Sequence, residues 1–476
     1  MRKTFTNIIY NALYQIFLVL VPLITVPYLS RTLGPATYGI YSSVNNTIQF
    51  LMVLCVLALT YVGTRTISRV WSKKGRAELT EAFWGLWYFQ LIAGILTTIL
   101  TIFICLVFKI QYWFEIILML PYLISATLDI TWFFQGIASF GKVVLRNIAV
   151  KSTSVVLILL LVKSSADLWR YLLIMSVTTM LGAFVFWLDL KKYVDGPVKK
   201  FYRFNTTLKA VAILMIPQIA TQIYTSLDKP MLSYLSTSVQ VSYYDNSQRI
   251  SNMILGIITS ISLVIMPKMA AQNRDEQLPI LKKSLEATTM LGAFFAAILM
   301  ANTKEFVPFF FGDKYIPLTP LMFFFSLTVI MIPMGGVFAN QFALANRKDR
   351  EYTIPVVIGA IVQVALSLVL DHHLGAIGAT IAILITELLV LFLRVWIVRE
   401  YFDLAATFKD VPKYLLLGAI TLLVGMLIPG LTSSAFINMA IRSILMTLIF
   451  GLLMLKMPFE FNQDIYLLLN KLRRRK

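Results

Sequence analysis

Asp245 and Arg249 stand four residues apart in an otherwise uncharged stretch, so on a helix they share one face and can pair. At a rise of 1.5 Å per residue, Arg249 would lie about 14 Å into the segment that holds it. An ionisable group at that depth is costly, and marks a ligand or ion path by default. Other charges sit in comparable places. Arg31 and Arg65 close two long apolar runs, and Asp228-Lys229 lies near the far end of a third. Asp129 falls midway along a fourth, and Glu387 one face away from Arg394. Guanidinium forks pair bidentately with phosphate oxygens, so Arg31, Arg65 and Arg249 are expected to hold an anionic, phosphate-bearing ligand. Asp129, Asp228, Lys229, Asp245 and Glu387 are expected to couple or gate its movement. The alternatives are interfacial anchors that snorkel to water at Arg31 and Arg65, and simple locks between helices at Asp129 and Glu387.

Uncharged polar residues recur at three- and four-residue steps beside these charges. One set is Asn7, Asn11, Tyr14 and Gln15, and a second is Ser42, Asn45, Asn46 and Gln49. A third is Gln218, Thr221, Gln222 and Thr225. Each marks one helix face, and Asn11, Gln15, Asn46, Gln49 and Gln222 are expected to line a hydrated path and touch a polar ligand. The competing reading is polar glue between helices of one bundle. The aromatic run Trp132-Phe133-Phe134 and the pair Tyr243-Tyr244 fit an interfacial belt better than a sugar-stacking surface.

No catalytic machinery accompanies these groups. The chain has no GxxxxGK[ST], GxGxxG or HExxH pattern, so nucleotide and zinc hydrolysis are not encoded. Asp371-His372-His373 has no further ligand cluster and reads as an exposed turn, so no metal and no cofactor are expected. Cys55 and Cys105 lie within apolar runs and make no disulfide framework. Energy for any transport would have to come from a proton or sodium gradient, or from the substrate's own.

The elements that must position these residues are membrane spans. Of 476 residues, 58% are hydrophobic and 14% charged, against about 25% charged in soluble domains. A large soluble enzyme, a disordered scaffold and a disulfide-rich secreted module are therefore excluded. Crossing the hydrocarbon core takes about 20 apolar residues, and charge-free runs of that length or more include 4–30, 32–64, 82–108, 315–346 and 414–441. With the runs broken by one or two charges, the chain reads as an all-α integral membrane protein of about fourteen transmembrane helices. The first run is too long for a cleavable signal peptide.

The net charge of +19 is mostly an orientation signal. Most Lys and Arg fall in alternate connections, including 65–76, 191–209, 268–283 and 456–476, which places both termini in the cytoplasm. Nucleic acid is not needed to explain the charge. The basic connection near the middle suggests a parallel repeat, because Pro27-Tyr28-Leu29-Ser30 is echoed by Pro230-Met231-Leu232-Ser233. The expected organisation is a six-helix lobe at 1–190, a linker at 191–208, a second six-helix lobe at 209–400, and two further helices with a basic tail at 401–476.

Three segments carry a family resemblance. Asn11-Ala12-Leu13-Tyr14-Gln15, with Pro27-Tyr28-Leu29-Ser30-Arg31-Thr32-Leu33-Gly34 and Tyr38-Gly39, resembles the opening of Wzx-type polysaccharide repeat-unit flippases. Asp129-Ile130-Thr131-Trp132-Phe133-Phe134-Gln135-Gly136, followed by Arg146-Asn147, is similar to a second signature, and Asp228-Lys229-Pro230-Met231-Leu232 to a third. Pro230 departs from the small apolar residue usual there. The wider superfamily also holds multidrug extruders and lipid II flippases. The resemblance implies two six-helix lobes in a V with two added C-terminal helices. It also implies undecaprenyl-pyrophosphate-linked oligosaccharide as the substrate, moved from the cytoplasmic to the outer leaflet by alternating access. Polysaccharide polymerase and glycosyltransferases are the implied partners, besides the bilayer itself. A cation-coupled drug extruder, a lipid II flippase and a membrane-embedded glycan polymerase or ligase are the competing readings. The last would need a large outer loop, and every outer connection is short.

Overall fold

A computed structural model describes the backbone of residues 2–72 and 75–457, and the side chains of these except 2–13, 15–16, 18–19, 263–264, 267–268 and 274–275. The side chains of Asn11 and Gln15 therefore lie outside the described residues. Helices dominate, and no strand occurs among the described residues. Among the described residues, twelve segments are long and apolar enough to cross a membrane. One of them, Leu20–Ser72, runs 53 residues and holds two crossings, and the 34-residue helix Ser238–Ala271 adds another. The all-helical class with its 14 helices of crossing length follows.

The chain forms two compact units, Met1–Ser242 and Tyr243–Lys476. In the first, α1 (Arg2–Val56) is broken at Gly34 (φ 71°, ψ 170°). Only glycine adopts that backbone cheaply, and Pro35 restarts the helix with its φ already set. A second break follows at Leu57 and Ala58, both at positive φ, before the short α2 (Leu59–Ser72). Arg65 was expected to close this crossing at the end of a charge-free run. It lies instead on the exposed face of α2, whose Leu59, Val62, Ile67 and Val70 are buried.

Then come α3 (Arg76–Phe108), three short pieces α4 (Trp113–Leu118), α5 (Leu120–Leu128) and α6 (Thr131–Gly136), and α7 (Phe140–Leu161) and α8 (Leu168–Leu190). The unit ends with α9 (Phe204–Gln222), a π-helical turn Ile223–Leu227, and α10 (Asp228–Leu235). The sequence pattern assigned α9 and α10 to the second lobe, but they cluster with the first unit. Gly39 lies so close to the Ser238 carbonyl that an added Cβ would sit 1.7 Å from its oxygen. Gln111 also donates to the Ser233 carbonyl (3.4 Å).

Two large apolar clusters lie in this unit, beside a smaller one around Cys55, Leu123 and Ala126. One of the large two gathers Phe83, Trp132, Phe133, Phe134 and Phe186, the other Leu29, Tyr38, Ile48, Met119 and Leu172. Trp132, Phe133 and Phe134 are only 2%, 0% and 0% exposed, so the interfacial belt expected of them is replaced by a core.

The second unit comprises α11 (Ser238–Ala271) from Tyr243 onward, α12 (Arg274–Phe311), α13 (Thr319–Phe325), α14 (Thr328–Gly336), α15 (Asp349–Leu374), α16 (Ala376–Val398), α17 (Leu404–Phe408), α18 (Val411–Leu427) and α19 (Ala435–Lys456). Small residues set its close approaches, as expected where lipid supplies no drive for helices to associate. A Cβ on Gly378 would lie 2.1 Å from the Leu370 carbonyl oxygen, and one on Gly418 2.8 Å from the Ala293 Cβ. Tyr244 is fully buried against Phe325, again core rather than belt. His372 and His373 are exposed in the last turn of α15, where they complement the helix dipole.

Candidate functional site

The break between α5 and α6 organises the first unit's polar centre. α5 ends at Leu128, and Asp129 is extended (φ −72°, ψ 111°). A helix end leaves its last carbonyls without intrahelical donors, and within a membrane other protein groups must supply them. Gln90 of α3 donates from Nε2 to the carbonyls of Ala126 (2.6 Å) and Asp129 (2.9 Å). Trp87 of α3 donates to Thr127 O (3.2 Å) and Trp187 of α8 to Leu128 O (2.8 Å). Gln90 is 0% exposed, and its Oε1 accepts from Trp132 Nε1 (2.9 Å) at the start of α6. Four consecutive carbonyls are thus held by three side chains from other helices.

This scaffold presents the Asp129 carboxylate. Its Oδ1 accepts from the Thr131 backbone N–H (2.7 Å), and its Oδ2 from Arg146 Nη2 of α7 (3.0 Å). Arg146 also donates from Nη1 to Asn147 Oδ1 (2.8 Å), and its guanidinium carbon lies 4.3 Å from the Phe186 ring centroid. Arg146 is 10% exposed and Asp129 35%, so the carboxylate is the open member of the pair. The buried Arg146 Nε–H has no partner among the described residues and remains available to an acceptor. Thr64 of α2 donates to Trp132 O (3.2 Å), closing the cluster on its other side.

The remaining expected residues fall into separate settings. Gln49 donates to the Tyr122 hydroxyl on α5 (3.4 Å). Asn46 donates to Ser42 O (2.8 Å) and Gln222 accepts from Ser226 Oγ (2.7 Å), both within one helical stretch, so neither glues neighbouring helices through these bonds. Lys229 pairs with Asp228 (2.9 Å), with the two 2% and 0% exposed, directly after the π-helical turn. Lys229 also reaches the Thr225 carbonyl (2.5 Å). In the second unit Arg249 pairs with Asp245 (3.1 Å) as its four-residue spacing predicted, with the arginine 29% exposed. Glu387 is buried, with no ion pair within 4.0 Å among the described residues.

Arg31 and Arg65 are both exposed. Between them lies the crossing Pro35–Val56, about 33 Å of helix at 1.5 Å per residue. One phosphate group cannot engage both at once. The residues that sequence reasoning undervalued are Arg146 and Asn147, seen only as part of a motif, and Gln90, Trp87 and Trp187. Gln90 did leave a signal, being the lone amide in the charge-free run 82–108.

Fold and site together define a multi-pass, all-helical membrane transporter class, and comparison with known proteins supplies the family. The polysaccharide biosynthesis protein family matches residues 5–272, more than half of the chain, and the chain belongs to that family. It is 22% identical over 401 residues to "Putative O-antigen transporter" of Escherichia coli (strain K12), covering 83% of this chain and 96% of that protein. The protein of the same name from Shigella dysenteriae is 22% identical over 379 residues, covering 78% and 94%. Among solved structures, the inward closed conformation of the lipid II flippase MurJ superposes with a TM-score of 0.79 at 15% identity, covering 94% of this chain and 99% of that one. An inward-facing multidrug resistance MATE family transporter of the MOP superfamily gives 0.63 at 16% identity, covering 82% and 95%. The Wzx-type resemblance and the two-lobed transporter fold expected from sequence both stand.

Proposed function

We propose that this protein is a flippase that carries undecaprenyl-pyrophosphate-linked oligosaccharide repeat units from the cytoplasmic to the outer leaflet for surface polysaccharide synthesis. Both termini lie in the cytoplasm in this reading, and alternating access of two lobes moves the headgroup without a covalent step. A multi-sugar headgroup cannot cross hydrocarbon unaided, because each unpaired hydroxyl would cost several kcal/mol. Amide, hydroxyl and guanidinium groups along the path replace its water.

The observation that carries this reading is the pairing of three intramembrane acids with cations, which leaves Glu387 as the unpaired exception among the described residues. Asp129 is held by Arg146, Asp245 by Arg249 and Asp228 by Lys229. A site for cationic drugs needs an uncompensated carboxylate at the ligand. In the Asp245–Arg249 pair the guanidinium is the more open member, 29% against 8% exposed, which suits phosphate, while the neighbouring amides and hydroxyls suit sugar hydroxyls. Arg146 joins Arg249 as a candidate phosphate ligand, and the buried Glu387 is the strongest candidate for coupling to a proton or sodium gradient. Glycosyltransferases and a polymerase would supply and consume the substrate.

The test is complementation of a strain that depends on this protein for surface polysaccharide, alongside reconstituted vesicles that measure translocation of the lipid-linked sugar and of a hydrophobic cation. The expected result is that Arg146→Ala and Arg249→Ala each reduce sugar-lipid translocation at least tenfold, the scale of one charge-assisted hydrogen bond, with partial rescue by lysine. Cation transport without sugar-lipid transport would overturn the reading in favour of an extruder.

A further inference from the structure

A cavity of about 460 Å³ lies apart from the polar centre, at the end of the first unit where α2 finishes, α3 starts and α8 gives way to the basic connection. Its lining includes Trp71, Arg76, Leu79, Lys192 and Tyr193. The adjoining crossings end at Ser72 and Leu190 and begin at Arg76, so the cavity sits where hydrocarbon meets water.

Its construction is amphipathic. Leu79 is 2% exposed and forms an apolar part of the wall. The rings of Trp71 and Tyr193 stand at 66° with centroids 6.2 Å apart. Tyr193 is fixed from behind: Lys142 donates to its hydroxyl (3.0 Å) and lies 5.1 Å from its ring centroid, and Phe133 and Phe134 meet its edge. Trp71 is 43% exposed and forms the open wall.

The cations are held loosely. Arg76 pairs with Asp195 (3.0 Å) while the two side chains are 55% and 61% exposed. Lys192 pairs with Asp189 (2.6 Å) at 72% exposure, and Asp189 is also engaged by Lys142. Both cations are more than half exposed, and Lys192 shares Asp189 with Lys142, so another anion can take either cation. Counting Lys142 behind Tyr193, three cations share Asp189 and Asp195, which leaves positive charge beside a cavity whose walls are largely aromatic and aliphatic.

We infer that this cavity binds the phosphate headgroup of a membrane lipid, with the glycerol or first prenyl carbons against Trp71 and Tyr193 and the phosphate on Arg76 and Lys192. Its volume lies within the range of about 300–1,000 Å³ typical of small-ligand sites. It holds a phosphate with one small group and is too small for a multi-sugar chain. The site is distinct from the Asp129 centre and does not depend on the transport reading. Two lipids carry the required chemistry: an anionic glycerophospholipid and a polyprenyl pyrophosphate.

Native mass spectrometry of the delipidated full-length protein tests it, with phosphatidylglycerol, undecaprenyl pyrophosphate and uncharged diacylglycerol as probes. Arg76→Gln/Lys192→Gln should weaken phosphate-lipid binding about tenfold or more, at roughly 1 kcal/mol per surface cation, and leave diacylglycerol unaffected. Trp71→Ala should weaken it independently. Arg347→Gln/Arg350→Gln in the second unit removes the same charge elsewhere and should change nothing. Loss for both phosphate lipids supports a general headgroup site, and loss for one alone assigns the site to that lipid. Equal affinity of wild type and Arg76→Gln/Lys192→Gln for both, in protein that elutes monodisperse, would overturn the inference. So would an equal loss in the Arg347/Arg350 control.

Discussion

Gln90→Leu removes one buried amide and strands three groups, so it separates the positioning of Asp129 from its chemistry. Leucine nearly preserves volume and fits an apolar run. It leaves the carbonyls of Ala126 and Asp129 without the Gln90 donor, and Trp132 Nε1–H without its acceptor. Stranded groups in water-soluble cores cost about 1–3 kcal/mol each. Interhelical hydrogen bonds in membranes average about 0.6 kcal/mol, because the unfolded chain also finds partners there. Three losses therefore bracket the destabilisation between about 2 and about 9 kcal/mol. We expect the lower half of that range, since Trp87 and Trp187 still hold Thr127 and Leu128.

The measurement is thermal stability in detergent together with polysaccharide export at matched membrane abundance, for Gln90→Leu, Asp129→Ala and the double variant. If Gln90 acts through Asp129, Gln90→Leu loses export nearly as far as Asp129→Ala does, and the double variant loses little more. A purely structural glutamine would lower the melting temperature and abundance but not export per molecule. Full export per molecule in Gln90→Leu, or strictly additive losses, would refute the positioning role.

Arg442 forks onto Glu305 (2.8 and 3.0 Å) and reaches the Ile428 carbonyl (3.1 Å), pinning α19 to α12. Arg442→Ala should destabilise the second unit by about 1–3 kcal/mol, since the partly buried Glu305 and the Ile428 carbonyl lose their donor, and limited proteolysis should show early cleavage around α19. Gly378→Leu places a side chain against the Leu370 carbonyl, where even a Cβ would sit at 2.1 Å. It should abolish stable expression, read by fluorescence-detected gel filtration. Gly34→Ala forces a Cβ-bearing residue into a backbone region (φ 71°, ψ 170°) essentially reserved for glycine, at a cost of about 1–3 kcal/mol, and should lower the melting temperature while sparing export at permissive temperature.

The fold class was legible because a bilayer permits few alternatives. Long charge-free runs must be helices, and basic connections must alternate, so composition and charge alone lead to about fourteen spans. The Gly34-Pro35 turn left a local signal that the charge-free run 32–64 passed over: one residue tolerates positive φ and the next starts a helix. The break at Leu57 and Ala58 left none, because neither residue favours positive φ and nothing local announces it. Asp129 was read as mid-helix for the same cause. Its break is specified by Gln90, Trp87 and Trp187, donors 36 to 59 residues away in sequence. Local pattern cannot report a donor so remote.

The pairing of charges shows where sequence reading succeeds and fails. Asp245 and Arg249 belong to one helix, and their spacing alone predicts the contact the structure contains. Asp129 and Arg146 lie on different elements, 17 residues apart, and meet because α5 stops where it does. The first pair survives any rearrangement that keeps α11 helical. The second exists only while the Gln90 scaffold holds the break. A carboxylate whose partner depends on a broken crossing can exchange that partner when the break shifts, whereas one paired within its own helix cannot. Asp129 rather than Asp245 is therefore the acid to follow during transport. Cross-linking a cysteine pair placed at Asp129 and Arg146 should lower translocation further below that of the same two substitutions uncross-linked, while the same treatment of a pair at Asp245 and Arg249 should add no further loss to that of the two substitutions alone.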